Sequence, residues 1–235
     1  MPTNDRVVLI TGATGVLGRE TARVFAAQDA RLGLAGTDGE RLAGVARDLG
    51  LADDRWVTAI GDLRERDGAQ AAVDAVTGAF GRVDVLAHLV GGYPASMPIA
   101  DLDPADVAEM VDQHLWTTLH VTRAVVPGMV ERGWGRILAV STPVASEPPP
   151  KMAAYAIGKA AQEVLLRTLA REVASAGVTV NVVIVKAIDK QGLRTTDPKK
   201  ASWTGPNEIA AAFQFLASDE AAAINGARFP LNGRG

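Results

Sequence analysis

Two residues of this chain have the types and the spacing of a proton-transfer pair. Tyr155 and Lys159 are four positions apart, so both side chains lie on one face if the segment is helical. An ammonium group beside a phenol favours the phenolate, which lets the tyrosine exchange a proton near neutral pH. We therefore predict that Tyr155 is a proton donor and that Lys159 supports it by lowering its pKa. The alternative is an exposed helical pair without a chemical role.

A glycine-rich segment near the start of the chain has the composition of a phosphate-binding turn. The residues Thr11-Gly-Ala-Thr-Gly-Val-Leu-Gly18 follow a short apolar run and open an amphipathic stretch. Glycines allow the backbone to approach a pyrophosphate, and the N-terminus of a helix offers it unpaired N–H groups. A tight turn without a ligand is the alternative. The residues predicted to bind a dinucleotide here are Gly12, Thr14, Gly15, Val16, Leu17 and Gly18.

The elements that must position these residues alternate as short apolar runs and longer amphipathic stretches, which is typical of βα units on a parallel sheet. A helix is predicted to start with a capping box at Thr37–Glu40 and to stop at Gly50. Two successive helices are predicted from Pro104 to Gly133, and one long helix at Ala153–Ala176. The predicted strands are Val7–Ile10, Arg31–Ala35, Trp56–Ile60, Val83–Leu89, Arg136–Ser141, Thr179–Val185 and Arg228–Leu231.

This pattern predicts an α/β fold. We expect a single doubly wound Rossmann-type domain over residues 1–235, with a parallel sheet of about seven strands and helices on both faces.

Composition argues against several classes of function. The 235 residues have 24 basic and 27 acidic side chains and a net charge of −3, without the basic stripe that nucleic-acid binding requires. No run reaches the roughly 18 apolar residues of a membrane span, and the first residues lack a signal-peptide pattern, so we expect a cytoplasmic protein. With no cysteine and three histidines, a metal site is not expected.

Taken together, the motifs resemble those of the short-chain dehydrogenase/reductase family, over nearly the whole chain. The resemblance extends to Gly61-Asp-Leu63, Gly91, Gly135-Arg-Ile137, Asn181 and Asn225-Gly226. It implies hydride transfer between a nicotinamide cofactor and the carbonyl group of a small molecule, with Tyr155 as the proton donor. It also implies that Lys159 holds the nicotinamide ribose, and that the nucleotide contacts Thr37, Asp62, Leu63, Val90 and Gly91.

Departures from the family pattern fall at the active site. Thr142 lies thirteen positions before Tyr155, where the family usually has the serine that holds the substrate oxygen, and we predict that its hydroxyl does the same. His114 replaces an asparagine that relays protons in the family. It either relays protons through water or is a packed histidine. His88 is interpreted as a core residue. The family's Pro-Gly after the sixth strand is here Val185-Lys186.

The end of the second strand distinguishes the two nicotinamide cofactors in this family. Gly36 occupies the position of the aspartate that binds the ribose of NAD, and Thr37 that of the arginine that binds the extra phosphate of NADP. Because no carboxylate is present to repel that phosphate, we predict NADP(H) in preference to NAD(H). Asp38 is assigned to the start of the following helix.

The substrate pocket is predicted under a short covering segment at residues 187–205. Tyr93, Met97, Met152 and Trp203 are its predicted walls, although Met and Trp residues are more often plain core. The short cover and the altered serine and asparagine are similar to dihydropteridine reductase, a branch of the family, so reduction of a quinonoid compound is an alternative.

Two further functions remain open on this fold: a non-redox dehydratase or isomerase, and a nucleotide-sensing protein. The helices around Val111–Val130 and Ala153–Ala176 have more apolar residues than one buried face needs. We therefore predict a homodimer or homotetramer, with a small molecule as the substrate and neither nucleic acid nor membrane as a partner.

Overall fold

The computed structural model describes residues 5–93 and 96–233. In this part of the chain, seven strands form one sheet in the order β3-β2-β1-β4-β5-β6-β7, and all neighbouring strands are parallel. The order changes direction between β1 and β4, which is where ligands bind in open α/β sheets. The strands are β1 (Val7–Thr11), β2 (Arg31–Gly36), β3 (Trp56–Ile60), β4 (Val85–His88), β5 (Gly135–Ser141), β6 (Val178–Val185) and β7 (Arg228–Leu231).

Helices cover both faces of the sheet, as predicted. One apolar cluster joins the sheet to α3, α5 and α6, and a second joins it to α1, α2 and α7. The strands between these layers are mainly apolar, and every residue of β6 is buried, as expected for a parallel strand covered on both sides. The helices are α1 (Val16–Ala26), α2 (Gly39–Asp48), α3 (Arg66–Phe80), α4 (Pro104–Val111), α5 (Thr117–Arg132), α6 (Ala153–Glu172) and α7 (Pro206–Leu216).

A π turn at Asp112–Trp116 joins α4 directly to α5. The two helices predicted between Pro104 and Gly133 are therefore present, but without a loop between them. A π turn holds one residue more than an α-helical turn and is often found at functional sites. This one positions His114.

Two helix boundaries differ from the predictions. The residue that caps α2 is Asp38, whose carboxylate accepts a hydrogen bond from the Arg41 N–H at 3.1 Å. The predicted cap at Thr37 is therefore wrong, and the assignment of Asp38 to the start of this helix is confirmed. The stop at Gly50 is confirmed by its left-handed conformation, with φ of 64°. The helix α6 ends at Glu172, and residues Ala174–Ala176 form a separate 3-10 turn.

Hydrogen bonds join the two ends of the covering segment between β6 and α7. Ile188 and Thr204 form an isolated parallel bridge, in which the Thr204 N–H donates to Ala187 and the Asp189 N–H donates to Thr204, both at 2.9 Å. The buried Asp189 carboxylate accepts from the N–H groups of Leu193 and Arg194, at 2.8 and 3.1 Å. These bonds fix the base of the segment, which then runs through two 3-10 turns.

Candidate active site

The residues predicted to do chemistry meet in one cavity at the carboxyl edge of the sheet, with a volume of about 650 Å³. It extends from the glycine turn after β1, past the loop after β4, to the residues that follow β5 and β6. The start of α6 closes one side. All four predicted catalytic residues line it: Thr142, His114, Tyr155 and Lys159.

The glycine turn passes very close to neighbouring backbone. Gly12 has φ of 65°, and a Cβ on it would lie 3.0 Å from the carbonyl oxygen of Leu89. A Cβ on Gly18 would lie 2.3 Å from the carbonyl oxygen of Gly12. Gly15 differs, because it has φ of −72° and is exposed at the N-terminus of α1. Gly12 and Gly18 are thus required by the fold itself, whereas Gly15 leaves the helix terminus open to a ligand.

The N-terminus of α1 is suited to an anionic group. No side chain caps it, and its first turn contains no acidic residue. The unpaired N–H groups and the positive end of the helix dipole favour negative charge at this position. The turn residues therefore fit the pyrophosphate of a dinucleotide.

Lys159 is buried and held by two acceptors. Its Nζ donates to the carbonyl oxygen of Val140 at 2.8 Å and to Oε1 of Gln162 at 3.0 Å. Burial lowers the pKa of Lys159 to about 8, and the negative charge of Glu163 opposes that shift. Gln162 is buried too, and its Nε2 donates to Oγ1 of Thr118 at 3.0 Å. The Gln162 amide that holds the Lys159 ammonium is therefore itself held in place by Thr118.

Tyr155 is surrounded by aromatic rings. Its ring makes edge contacts with Tyr93 and His114, at centroid distances of 5.2 and 5.6 Å. Burial, with a smaller effect of Tyr93, raises the pKa of Tyr155 to about 12. The prediction that Lys159 lowers this pKa is wrong for this structure, because the ammonium bonds to Val140 and Gln162 and burial dominates. The phenol is protonated at neutral pH, which is the form that a proton donor needs.

His114 is tightly packed in its π turn. Its Nε2 lies 3.1 Å from the carbonyl oxygen of Gly92, so Nε2 is the protonated nitrogen, and Nδ1 is buried without a hydrogen-bond partner in the described residues. A Cβ on Gly91 would lie 2.6 Å from the ring. Burial, with a smaller effect of Lys159, lowers the pKa of His114 to about 3. The imidazole is therefore packed and neutral.

His88 has the structural role expected of it. It is buried at the end of β4, with Nδ1 2.9 Å from Oγ1 of Thr11 and Nε2 3.3 Å from Oγ1 of Thr117. Because Thr117 already donates to Gln113 and Thr11 already accepts from Leu89, the proton is on Nε2. Burial, more than the charge of Lys159, lowers the pKa of His88 to about 3.

Thr142 is the first residue after β5 and is buried. Its Oγ1 accepts a hydrogen bond from the Val144 N–H at 3.4 Å, which leaves the hydroxyl proton available for donation. The adjacent Ser141 also lines the cavity, and its Oγ is buried without a partner in the described residues.

Comparisons with known proteins agree with this geometry. A family model described as short chain dehydrogenase matches residues 6–201. Acetoacetyl-CoA reductase of Cupriavidus necator is 30% identical, with 97% of each chain covered. D-threitol dehydrogenase of Mycolicibacterium smegmatis is 32% identical, with 98% of this chain and 92% of its own covered.

The chain belongs to the short-chain dehydrogenase/reductase family.

Solved structures of other short-chain dehydrogenases have the same architecture. One from Bacillus anthracis matches with a TM-score of 0.89 at 27% identity, over 98% of this chain and 96% of its own. Levodione reductase matches with a TM-score of 0.88 at 27% identity, over 97% and 96%. The names of these relatives refer to different compounds, so membership of the family establishes an oxidoreductase without a particular substrate.

Most of the other predicted site residues of this short-chain dehydrogenase also line the cavity. Met97, Thr14, Thr37, Asp62 and Leu63 are outside that lining. Asp62 follows β3, where hydrogen bonds from Arg64 lower the pKa of its carboxyl. The residues that do line the cavity are Gly12, Gly15, Val16, Leu17, Gly18, Val90, Gly91, Tyr93, Met152 and Trp203.

Several polar residues of the site were not predicted. Gln162 could have been suspected, because it lies three residues after Lys159, on the same side of the helix. Ser141, Lys186 and Lys190 line the cavity as well. In the sequence, Lys186 stands out only as a departure from the family pattern, and no periodicity indicates which way its side chain points.

Within residues 5–93 and 96–233, no group of three or more potential ligands is arranged to hold a metal ion. In the same ranges, no helix is both long enough and apolar enough to cross a bilayer.

Proposed function

We propose that this protein reduces the carbonyl group of a small molecule with a nicotinamide cofactor, and that Tyr155 donates the proton. The observation that carries the proposal is the convergence of a protonated phenol, a buried ammonium and a free hydroxyl proton in the cavity that begins at the glycine turn. These are the groups that would stabilise an oxygen on which negative charge develops.

The cofactor supplies the hydride when it is bound. In our proposal, the open N-terminus of α1 binds its pyrophosphate. An ammonium group has three N–H donors, and Lys159 gives two of them to Val140 and Gln162, so the third is available for the nicotinamide ribose. The proposed cofactor-binding residues are Gly12, Thr14, Gly15, Val16, Leu17, Gly18, Thr37, Asp62, Leu63, Val90, Gly91 and Lys159.

NADP(H) is the cofactor we propose. Gly36 offers no carboxylate, and the nearest acid, Asp38, already accepts a hydrogen bond at the start of α2. Thr37 is exposed and leaves room for the extra phosphate.

In the proposed reaction, two side chains of the protein donate hydrogen bonds to the same oxygen of the substrate. Tyr155 transfers its proton to the substrate oxygen, and Thr142 donates a second hydrogen bond to it. The phenolate that remains regains a proton from the solvent before the next turnover. His114 is packed and its Nδ1 is buried, so we assign it the positioning of the Tyr155 ring, which it contacts, in place of a proton relay.

A spectroscopic screen tests the proposal. The protein is mixed with NADPH and with ketones, quinones and dihydropterins, and loss of the reduced-cofactor absorbance is followed. If the protein reduces carbonyl groups, NADPH is oxidised when ketones are added. Oxidation of NADPH by dihydropterins alone would support the quinonoid alternative. Binding of NADPH without oxidation by any compound would favour a dehydratase, an isomerase or a sensor. Repeating the titration with NADH tests cofactor choice, because tighter binding of NADH would contradict our assignment.

A further inference from the structure

The charged side chains that line the cavity are all cations. They are Lys159, Lys186 and Lys190, and no carboxylate of the described residues lines it, although the whole chain has a net charge of −3. Lys159 is committed to its two acceptors. Lys186 and Lys190 have no side-chain hydrogen bond or ion pair with any described residue.

Two other cations of the covering segment, Arg194 and Lys200, are paired, whereas Lys199 is exposed and unpaired among the described residues, like Lys186 and Lys190. Arg194 contacts Glu208 and lies 3.9 Å from Asp189, and Lys200 lies 3.5 Å from Asp197. The two lysines at the cavity thus have no counter-charge within the described residues, and unlike Lys199 they line a cavity. An anionic ligand in the cavity would supply it.

Lys186 lies away from the pyrophosphate end of the cavity. The glycine turn follows β1 and Lys186 follows β6, with β4 and β5 between them. Adjacent strands are about 4.8 Å apart, so the two strands are separated by roughly 14 Å. In the β5–β6 register Ser141 pairs with Ile184, which places Lys186, two residues further on, beside the turn that contains Thr142.

We propose that the substrate carries an anionic group, a carboxylate or a phosphate, and that Lys186 binds it with Lys190 as a second cation. The apolar body of the substrate would pack on Val144, Met152 and Trp203, which line the same cavity. This inference rests on the proposed function, because it assigns the substrate to the cavity in which reduction is proposed to occur.

The test compares a charged ligand with a neutral one of the same shape. Binding of hexanoate and of hexanamide is measured by calorimetry at saturating NADP⁺. Wild-type protein is expected to bind hexanoate about tenfold more tightly than hexanamide. This is the low end of the range for a charge-assisted hydrogen bond, because Lys186 is exposed. K186M should abolish this preference, and K190M should reduce it. K199M is the matched control, since Lys199 is an exposed lysine of the same segment that does not line the cavity, and it should retain the preference.

Further titrations distinguish a carboxylate from a phosphate as the anionic group of the substrate. A stronger effect of K186M on hexyl phosphate than on hexanoate would identify the group as a phosphate. NADPH affinity should change by less than about twofold in K186M, and a loss as large as that of hexanoate would assign Lys186 to a cofactor phosphate and overturn the proposal. Equal binding of hexanoate and hexanamide by the wild type would also overturn it. If NADPH itself does not bind, the proposed function fails, while the hexanoate comparison without nucleotide still tests the cationic site.

Discussion

The chemistry of this site depends on which of two neighbouring residues holds a proton at neutral pH. Burial favours the neutral form of both, and it therefore acts in opposite directions: it raises the pKa of Tyr155 to about 12 and lowers that of Lys159 to about 8. At pH 7 the phenol is protonated and Lys159 is mostly charged. Tyr155 is thus in the form that can give a proton, and Lys159 is in the form that can donate hydrogen bonds.

Removal of the phenol hydroxyl tests the proton donor. We expect Tyr155→Phe to lower turnover by at least about 10²-fold, because phenylalanine has no proton to donate, with NADPH affinity unchanged. Tyr93→Phe is the matched control, since Tyr93 is also a tyrosine of this cavity but its hydroxyl contacts Ser96. Thr142→Ala should cost less than Tyr155→Phe. Near-normal turnover of Tyr155→Phe on a substrate found in the screen would refute the assignment.

The amide of Gln162 should set the pH at which activity is lost. Lys159 acts as a cation, so kcat/KM is expected to fall about tenfold per unit as the pH rises above about 8. Gln162→Leu removes an acceptor of the ammonium, which lowers the pKa of Lys159 and moves this loss to lower pH. Gln162→Glu adds a negative charge and should move it to higher pH. A uniform decrease at every pH in both variants would show that Gln162 is only structural.

At the scale of elements, the turn between β1 and α1 combines two kinds of glycine. Gly12 is required by its positive φ and by its closeness to Leu89, whereas Gly15 has an ordinary φ, and a Cβ there would meet only the Gly12 carbonyl oxygen, at 3.3 Å. Substitutions at the two positions should therefore affect different properties.

We expect Gly15→Ala to weaken NADPH binding about tenfold or more, because the methyl group blocks the approach of the pyrophosphate to the helix N-terminus. The free energy of unfolding should change by less than about 1 kcal/mol, since the lost cap preference and the gained backbone restriction offset each other. Gly12→Ala should instead destabilise the fold by about 1–2 kcal/mol or more. Nucleotide titration and urea unfolding of both variants provide the check. Unchanged NADPH affinity in Gly15→Ala would remove the turn from the cofactor site.

The sequence was sufficient for the central strands because burial on both faces gives them mainly apolar runs, as in Val178–Val185. It was not sufficient for the π turn, because Asp112–Trp116 continues the helical pattern and the extra residue depends on packing of His114 against Gly91. Likewise, the four-residue spacing of Tyr155 and Lys159 correctly brought them to one cavity. The direction of the pKa shift of Tyr155 depends on its burial and on Tyr93, which no local pattern reveals.

At the scale of the whole molecule, the outer surface retains large apolar side chains on neighbouring helices. Trp116 in the π turn, Val130 on α5, and Ile157 and Val164 on α6 are all exposed, and Val164 is the most exposed of them at 61%. Exposed apolar side chains that form a patch are unfavourable on a surface in contact with water. They are the basis of our proposal of a homodimer or homotetramer.

Light scattering tests this assembly. Wild-type protein at micromolar concentration should have a mass of at least twice the 24.5 kDa of one chain. Val164→Glu is expected to shift it towards the monomer, because a charge would be buried in the contact. Ile99→Glu is the control, since Ile99 is exposed but lies in a 3-10 turn away from these helices. A monomeric mass for the wild type would refute the proposal.

The π turn also determines which insertions and deletions the chain tolerates. One residue of an α-helix corresponds to about 100° of rotation and 1.5 Å of rise, so loss of a single residue within 112–116 would restore a regular helix and rotate α4 relative to α5. Met110 on α4 could then no longer keep its carbonyl against Gly158 of α6, where a Cβ would lie only 2.6 Å from that oxygen. A deletion that improves local helical geometry would separate two helices that flank the active site. The length of this segment is therefore under a stricter constraint than its amino-acid composition.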